Sequence, residues 1–559
     1  MATTDEARGS GNGGFVGHAR VVAGLTLLSR VTGLVRDAVL AATLGAGTVS
    51  NAFLLGFMVP NLFRRLFGEG ALSAAFVPAY VEARDEGEAA ARALARRVLR
   101  RLTVLLVTIT AVGGVLLALL WAQVSGAASD QAGLASGYAA LLLPYMPMVC
   151  VVAVFGAILQ VRGRFLPGSA APLVLNGGMI AAAGLAWWLG WRQQTQIAGW
   201  LIGGVLVAGL VQLAWLAWAS RDSWLGGAEQ AAEVSVDQER FRRMRRRMLP
   251  MAIGLAAFQL NAVLDGLIAL CLSPSADGPS EMSWFPLGGV AYPIAHEAFT
   301  WLTFAQRLYQ FPLGVMGLAV ATAIFPALAR AAVGVKDGEP GDYLDTLRRG
   351  LRLSVFIGLP AAVGLMVVAE PAARVLFERG RFTEADTAAV AWLVVGYASG
   401  VWAYATSHVL TRAWYALGEA WVPMRVTLAM TAVNLAMNLV LIWPMGAAGL
   451  AWSTSITAGL QVVVLVVLLS RRRGGVVDGA VWRGWAWAAI GSVGVAAVAG
   501  GLRWSLGGGV GDAWWWSAAV LAVCVVGGAA AYVAVMLAGR RAELRWVLSR
   551  SANSGPDSA

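Results

Sequence analysis

The chain has 559 residues, of which 58% are hydrophobic and only 13% are charged, and its mean hydropathy is +0.68. Soluble globular proteins carry charges on about a quarter of their residues, so this composition excludes a water-soluble domain and indicates a polytopic membrane protein. The formal net charge is +11, and Lys336 is the only lysine. Because membrane proteins keep basic loops in the cytoplasm, this charge does not indicate nucleic-acid binding.

Neither the N-terminus nor the cysteines and histidines predict a functional site. Residues 1–19 are polar, lack the segments of a signal peptide and are predicted to form a disordered tail. Cys150, Cys271 and Cys524 lie in apolar runs, where thiols are usually small buried apolar groups. The histidines are scattered, so the sequence predicts no metal cluster.

Apolar runs of about 20 residues, long enough to cross a bilayer, recur along the chain. We predict an all-α fold with fourteen transmembrane helices, and an amphipathic stretch between the second and third. The predicted spans lie near residues 20–43, 49–67, 98–123, 137–161, 168–190, 196–220, 249–272, 299–328, 350–369, 387–411, 424–443, 446–470, 484–502 and 514–538.

Basic residues concentrate in loops that follow even-numbered spans. These residues are Arg84, Arg92, Arg96, Arg97, Arg100, Arg101, Arg162, Arg164, the basic run Arg240–Met248, Arg330, Lys336, Arg348, Arg349, Arg352, Arg471–Arg473, Arg540, Arg541 and Arg545. The loop containing Arg374, Arg379 and Arg381 is an exception, but acidic residues accompany them. The alternation predicts an even number of spans with both termini in the cytoplasm.

A weak internal repeat suggests how the spans are grouped. "GALSAAFVPAYVEA" follows span two and "GLAVATAIFPALARAA" belongs to span eight, and both contain a proline near the end of an apolar helix. Two halves of six spans and an appended pair would explain this pattern, while chance similarity between apolar helices remains an alternative. The predicted domains are a tail (1–19), an N-lobe (20–220), a basic linker (221–248), a C-lobe (249–470), a helix pair (471–540) and a cytoplasmic tail (541–559).

Several predicted spans contain charged residues, which cost between about 2.5 and about 17 kcal/mol at the bilayer centre. We therefore expect these side chains to face water or one another. They are Arg30, Arg36 and Asp37 in span one, Arg64, Arg65 and Glu69 at the end of span two, Asp265 in span seven, and Arg307 in span eight.

The charges of the first span allow two interpretations. On an ideal helix Arg30 and Asp37 lie within about 20° of the same face, and Arg36 lies about 120° away. The side chains could extend to the interface or form internal salt bridges. Alternatively, since arginine outnumbers the nearby acids, the guanidinium groups could line a cavity that binds a phosphate or pyrophosphate head group.

A second set of polar side chains lies in the later spans. It comprises Asp265, Asn434, Asn438 and Thr454, and the two asparagines lie four residues apart on one helix face. Their oxygens are ligands of the kind that small hard cations prefer. Hydrogen bonds between helices are the other interpretation. A cation site would allow an inward sodium or proton gradient to drive transport.

Three motifs carry a family resemblance: "SRVTGLVRDAVLAATLGAG", "NAFLLGFMVPNLFRRLFGEGALSAAFVPAY" and "RLYQFPLGVMGLAVATAIFPALA". They resemble the MurJ/MviN lipid II flippases of the MOP exporter superfamily, and the first two form a nearly continuous block, Ser29–Tyr80. The resemblance implies two pseudo-symmetric six-helix lobes around a central cavity and a C-terminal pair that forms a groove for the lipid tail.

The resemblance also implies a function. It implies alternating access that carries undecaprenyl-pyrophosphate-linked peptidoglycan precursor across the bacterial cytoplasmic (inner) membrane, without catalysis or a cofactor. Sodium, protons or the membrane potential would supply the energy. Lipid II, membrane lipids and other peptidoglycan-synthesis proteins are the implied partners. The implied cavity residues are Arg30, Arg36, Asp37, Asn61, Arg64, Arg65, Glu69 and Arg307, and the implied sodium ligands are Asp265, Asn434, Asn438 and Thr454.

The chain departs from the family pattern at three positions. Asn51 replaces a frequent aspartate, and Gln306 and Gln310 replace acids that often flank the equivalent of Arg307, so the cavity should be more positive. A flippase for another polyprenyl-linked oligosaccharide is the main alternative function. A membrane glycosyltransferase would need acidic catalytic loops, whereas these loops are short and mostly basic. A transporter-like scaffold is the remaining alternative.

Overall fold

A computed structural model describes residues 6–68, 71–124, 131–225, 261–276, 279–282, 289–314, 318–336, 341–507 and 514–548. Within these ranges the regular structure is helical, apart from one antiparallel bridge between Glu281 and Ala291. The predicted all-α class is confirmed. The first helices are α1 (Glu6–Leu44), α2 (Thr48–Gly68), α3 (Ala71–Glu86), α4 (Glu88–Val124), α5 (Gln131–Leu142), α6 (Tyr145–Val161), α7 (Leu166–Trp188), α8 (Gln194–Ala219) and α9 (Asn261–Cys271).

The remaining helices follow in the same manner along the chain. They are α10 (Ala298–Pro312), α11 (Leu318–Lys336), α12 (Gly341–Val367), α13 (Ala369–Phe377), α14 (Glu384–Ala398), α15 (Val401–Ala416), α16 (Trp421–Met445), α17 (Ala447–Arg473), α18 (Gly479–Gly507), α19 (Trp514–Ala538) and α20 (Ala542–Leu548).

The described ranges contain 10 helical segments that are long and apolar enough to cross a membrane. They coincide with ten of the predicted spans, all except the first, second, seventh and eighth. The first two predicted spans form α1 and α2, which contain the intramembrane charges. The seventh and eighth contribute shorter apolar helices, Asn261–Cys271 and Val320–Gly334. The chain is a multi-pass membrane protein, and the number fourteen stays a prediction.

Two local predictions are wrong. Helix α1 begins at Glu6, within the tail predicted to be disordered, because extending an existing helix is far easier than nucleating one. Helix α4 begins at Glu88, so part of the amphipathic stretch predicted between spans two and three belongs to the same helix as span three, since alanine and arginine are strong helix formers. Cys271 is exposed at the end of α9, whereas Cys150 and Cys524 are buried as expected.

The chain divides into two compact units. The first unit comprises Met1–Tyr292 and Arg379–Phe382, and the second comprises Pro293–Glu378 and Thr383–Ala559. Helix α9, which we predicted as the start of the C-lobe, belongs to the first unit. The domain boundaries given above stay a prediction.

Within the first unit, segments that follow even-numbered spans contact each other. The Nε of Arg96 donates to the Trp224 carbonyl at 2.6 Å, and Nη1 of Arg164 donates to the Ala219 carbonyl at 2.6 Å. At the opposite ends of the helices, the side-chain amide of Gln194 donates to the Leu44 carbonyl at 2.6 Å. Successive spans run in opposite directions, so connections after even-numbered spans should lie at one end of the helices and connections after odd-numbered spans at the other. These contacts follow that rule.

The second unit follows the same rule. Nη2 of Arg348 donates to the Gly475 carbonyl at 2.6 Å, which joins the segments after predicted spans eight and twelve. At the opposite ends, the Trp301 indole donates to Asp386 at 2.8 Å. Even-numbered and odd-numbered connections are therefore also separated in this unit.

The exceptional arginine-containing loop has a structural explanation. Arg374 lies 3.5 Å or less from three carboxylates, those of Glu370, Glu378 and Glu384. Because these acids neutralise its charge, Arg374 does not act as an isolated basic residue in the charge distribution that sets orientation.

The C-terminal end of α1 is capped by a distant part of the same unit. The backbone N–H of Arg381 donates to the Ala42 carbonyl at 3.0 Å. Gly380 adopts a φ of +59°, and a Cβ there would lie 2.4 Å from the Ala42 carbonyl oxygen. Only glycine allows this close approach, which satisfies one of the last carbonyls of α1.

Candidate functional site

The charged stretch of α1 is attached to α7 through Arg36. The Asp37 carboxylate accepts from Nε of Arg36 at 3.0 Å and from Nη2 at 2.7 Å, while Asn176 on α7 accepts from Nη1 at 3.0 Å. The Asn176 amide in turn donates to the Ser29 carbonyl and the Thr32 hydroxyl, both at 3.1 Å. Both Asp37 and Asn176 are buried. Asn176 therefore holds the guanidinium and one turn of α1 at the same time.

Arg36 retains donors for a ligand. A guanidinium has five N–H groups, and Arg36 uses three of them in the bonds to Asp37 and Asn176. One N–H remains on each terminal nitrogen, counting contacts with described residues. The Arg36 side chain is 12% exposed and that of Asp37 is 6% exposed. An arginine held in this way can present two donors to an anion, and phosphate oxygens match that geometry.

Helix α2 contributes a second arginine to the same part of the first unit. Nε of Arg64 donates to the side-chain oxygen of Asn61, one turn earlier, at 3.0 Å. Tyr145 on α6, in the same unit, is buried and its hydroxyl donates to the side-chain oxygen of Gln212 at 3.4 Å. Two of the predicted cavity arginines therefore belong to the first unit.

The other predicted residues of the first unit differ in their surroundings. Arg30 is half-buried and has no hydrogen-bond or ion-pair partner among the described residues. Glu69 and the side chain of Arg65 lie outside the described part of the structure. The proposed roles of these three residues stay predictions.

Arg307 lies on α10 in the second unit and is half-buried. The adjacent Gln306 donates to the Tyr397 hydroxyl at 3.2 Å, and the Tyr309 ring stacks 4.9 Å from that of Tyr397 and 5.8 Å from that of Tyr404. The glutamine in place of an acid therefore has a clear local role, since it binds a tyrosine that packs beside the same helix.

The predicted cation ligands of the second unit form a hydrogen-bond network. Asn438 donates to the side-chain oxygen of Asn434 at 3.2 Å, and Asn434 donates to Ser453 at 3.4 Å and to Thr454 at 3.5 Å. The Ser453 hydroxyl also binds the Asn438 oxygen. Each amide oxygen therefore accepts a hydrogen bond within the network.

These contacts match the interhelical hydrogen-bond interpretation. Asp265 is buried on α9, in the first unit. The role of Asp265, Asn434, Asn438 and Thr454 as cation ligands stays a prediction.

Two site residues escaped the sequence analysis. Asn176 was missed because a single asparagine in the apolar stretch "LVLNGG" gives no spacing pattern, although a lone amide in a transmembrane helix is a signal in itself. Ser453 was missed because serine is common in helix contacts, and only its neighbour Thr454 drew attention.

Comparison with known proteins identifies the family of the chain. The family described as "Lipid II flippase MurJ" matches residues 40–534. A probable lipid II flippase MurJ of Vibrio cholerae is 32% identical over 463 residues, which cover 80% of this chain and 81% of that protein. The chain belongs to the MurJ family. The predicted membership of this family is thereby confirmed.

Other MurJ relatives and solved structures extend the comparison. A lipid II flippase MurJ of Burkholderia cenocepacia is 28% identical over 467 residues, which cover 81% of this chain and 83% of that protein. A solved MurJ in an inward closed conformation has a TM-score of 0.70 at 18% identity and covers 93% of this chain and 98% of its own. An inward-facing MATE multidrug transporter of the MOP superfamily has a TM-score of 0.63 at 17% identity, over 82% of this chain and 98% of its own. This MurJ-family chain therefore has the helical fold that these transporters share.

Proposed function

We propose that the chain is a lipid II flippase that carries undecaprenyl-pyrophosphate-linked peptidoglycan precursor from the inner to the outer leaflet by alternating access. Its MurJ relatives are named as lipid II flippases or probable lipid II flippases. The observation that carries the proposal is the hydrogen bonding of the Arg36 guanidinium. Asp37 neutralises part of its charge, and one N–H on each terminal nitrogen is left for a ligand.

The proposed ligand of these donors is the pyrophosphate of the lipid head group. Paired N–H donors bind phosphate oxygens bidentately, and such charge-assisted bonds are about twice as strong as neutral ones. Arg30, which has no described carboxylate partner, would add positive charge, and Asn61 would orient Arg64. Arg307 is proposed as a further anion contact, and Arg65 and Glu69 remain candidate cavity residues.

The proposal includes a location and an orientation. We place the chain in the bacterial cytoplasmic membrane with both termini in the cytoplasm, because basic residues follow the even-numbered spans. The grouping of connections within each unit supports that alternation. On this proposal the chain is a transporter and not an enzyme.

Complementation tests the proposed function. The chain should restore growth to a bacterium depleted of its own lipid II flippase, and the purified protein should move lipid II between leaflets in proteoliposomes. Movement of a different polyprenyl-linked oligosaccharide, but not of lipid II, would support the alternative MOP-superfamily flippase. Failure with both substrates would contradict the proposal.

Ion coupling is a separate prediction that depends on Asp265. A buried carboxylate is the group on which binding of sodium or a proton would depend, and Asp265 is 3% exposed. If an inward gradient of either ion drives transport, Asp265→Asn should lose the dependence on that ion. Transport in proteoliposomes with and without each gradient measures this effect.

The matched control for this prediction is Asp345→Asn. The Asp345 side chain is 66% exposed, so its loss should leave the ion dependence of transport unchanged. An Asp265→Asn protein that retained the full wild-type dependence would eliminate this residue as the coupling site.

A further inference from the structure

Helix α18 of the C-terminal pair, α18 and α19, is bonded to α12 at two points. The Trp485 indole on α18 donates to the Leu351 carbonyl, in the middle part of α12, at 3.2 Å. Sixteen residues further along, at the last residue of α12, Nη1 of Arg503 on α18 donates to the Val367 carbonyl at 2.8 Å. The pair and this helix are therefore joined at more than one level.

Between these two bonds, Pro360 interrupts the hydrogen bonding of α12. Proline has no N–H, so the carbonyl of Phe356, four residues earlier, lacks its helical donor. The Tyr532 hydroxyl on α19 donates to this carbonyl at 2.6 Å. Tyr532 is 7% exposed, and its ring contacts that of Phe356 edge to face at a centroid distance of 5.3 Å. The tyrosine thus supplies the donor that the proline removes.

Helix α18 is shaped to admit this tyrosine. A Cβ on Gly491 would lie 2.7 Å from the Tyr532 ring and 2.5 Å from the Met536 side chain. Contacts shorter than about 3 Å between carbon atoms are strongly repulsive. Gly491 therefore lets α19 approach closely enough for the hydroxyl of Tyr532 to reach α12.

Helix α15 packs closely against α12 beside the proline. A Cβ on Gly358 would lie 2.9 Å from the Cα of Trp402, so α12 and α15 are in close contact there. Since proline is the usual cause of a helix kink, the contacts of α15 and α19 beside Pro360 lie where the direction of α12 is least fixed by its own hydrogen bonds.

We infer that Tyr532 is a positioning residue that stabilises α12 at Pro360. Its hydroxyl supplies the donor to the interrupted helix only while α19 is in place, so the stability of α12 at Pro360 and the position of the C-terminal pair depend on each other. That this coupling influences transport rests on the proposed flippase function, whereas the bond itself does not.

A double-mutant cycle tests the inference. We expect Tyr532→Phe to speed amide hydrogen exchange in residues 351–367 about fivefold, the effect of losing one buried hydrogen bond. In the Pro360→Ala background, the restored backbone N–H can bond to the Phe356 carbonyl, and Tyr532→Phe should then change exchange less than about twofold. Mass spectrometry on the four full-length proteins in nanodiscs measures the effect, and thermal unfolding should show the same dependence on Pro360.

Tyr343→Phe is the matched control. The Tyr343 hydroxyl also donates to a backbone carbonyl, that of Ala413 at 2.9 Å, but this carbonyl keeps the N–H of Leu417 at 3.3 Å. Its loss should therefore leave exchange in residues 351–367 unchanged. Equal acceleration by Tyr532→Phe with and without Pro360, or no acceleration in either background, would overturn the inference.

Lipid II transfer by the same four proteins separates the two proposals. Tyr532→Phe should slow transfer, and Pro360→Ala should remove that dependence on the hydroxyl. If the wild-type protein transfers no lipid II, the proposed function fails, while the exchange cycle still decides the role of Tyr532.

Discussion

Arg36→Ala should abolish the ability of the chain to support growth in a bacterium depleted of its own lipid II flippase. The substitution removes the N–H donors proposed to bind pyrophosphate and breaks the ion pair between Arg36 and the buried carboxylate of Asp37. Hydrogen bonds to charged groups contribute about 1.5–3 kcal/mol, so lipid II transfer in proteoliposomes should fall about tenfold to about a hundredfold. Arg36→Lys keeps the charge without the planar fork and should recover only part of the activity.

Arg100→Ala is the control for the loss of positive charge. Arg100 is exposed on the basic part of α4, and its substitution should leave growth and transfer unchanged. Size-exclusion chromatography of each variant establishes that the protein is folded. Normal growth and transfer by folded Arg36→Ala would rule out the assigned role of this residue.

Gly380→Ala should have the largest effect on stability among alanine substitutions at the glycines that the structure describes. The new Cβ would lie 2.4 Å from the Ala42 carbonyl oxygen, and the φ of +59° is unfavourable for alanine. Left-handed backbone strain costs about 1–3 kcal/mol, and the collision with backbone cannot be relieved by a side-chain rotation. We expect a loss of about 3 kcal/mol in the free energy of unfolding, seen as a lower Tm.

Gly418→Ala is the control that introduces backbone strain without a steric collision. Gly418 has a similar φ of +77°, but its Cβ would contact nothing within 4 Å. This variant should lose only about 1 kcal/mol, the contribution of the backbone conformation alone. Equal losses for the two variants would mean that the contact with the end of α1 does not contribute to stability.

The membrane class and the helical fold were predictable from the sequence because they depend on composition and local pattern. A helix must contain about 20 apolar residues to cross the hydrocarbon core, and ten predicted spans match apolar helices in the structure. Alternating basic loops likewise follow from a rule that acts on each loop separately. The start of α1 is polar and contains several glycines, so neither composition nor local pattern indicates a helix there. The prediction of a disordered tail was wrong for this segment.

The identities of the site arginines were also predictable, because a charge within an apolar run is visible without knowledge of the fold. Arg30, Arg36 and Arg64 each interrupt such a run. Their partners were less predictable. Helical periodicity placed Asp37 near the face of Arg30, whereas in the structure Asp37 forms an ion pair with the neighbouring Arg36.

Only the tertiary structure decided which distant groups meet. Asn176 binds Arg36 across 140 residues of chain, and Tyr532 binds the carbonyl of Phe356 across 176. It also showed that Asn434 and Asn438 bond with each other and with Ser453. Sequence periodicity determines which face of a helix a side chain occupies, but the partner on the facing helix is set by how whole helices pack, and that depends on contacts distributed over the entire chain.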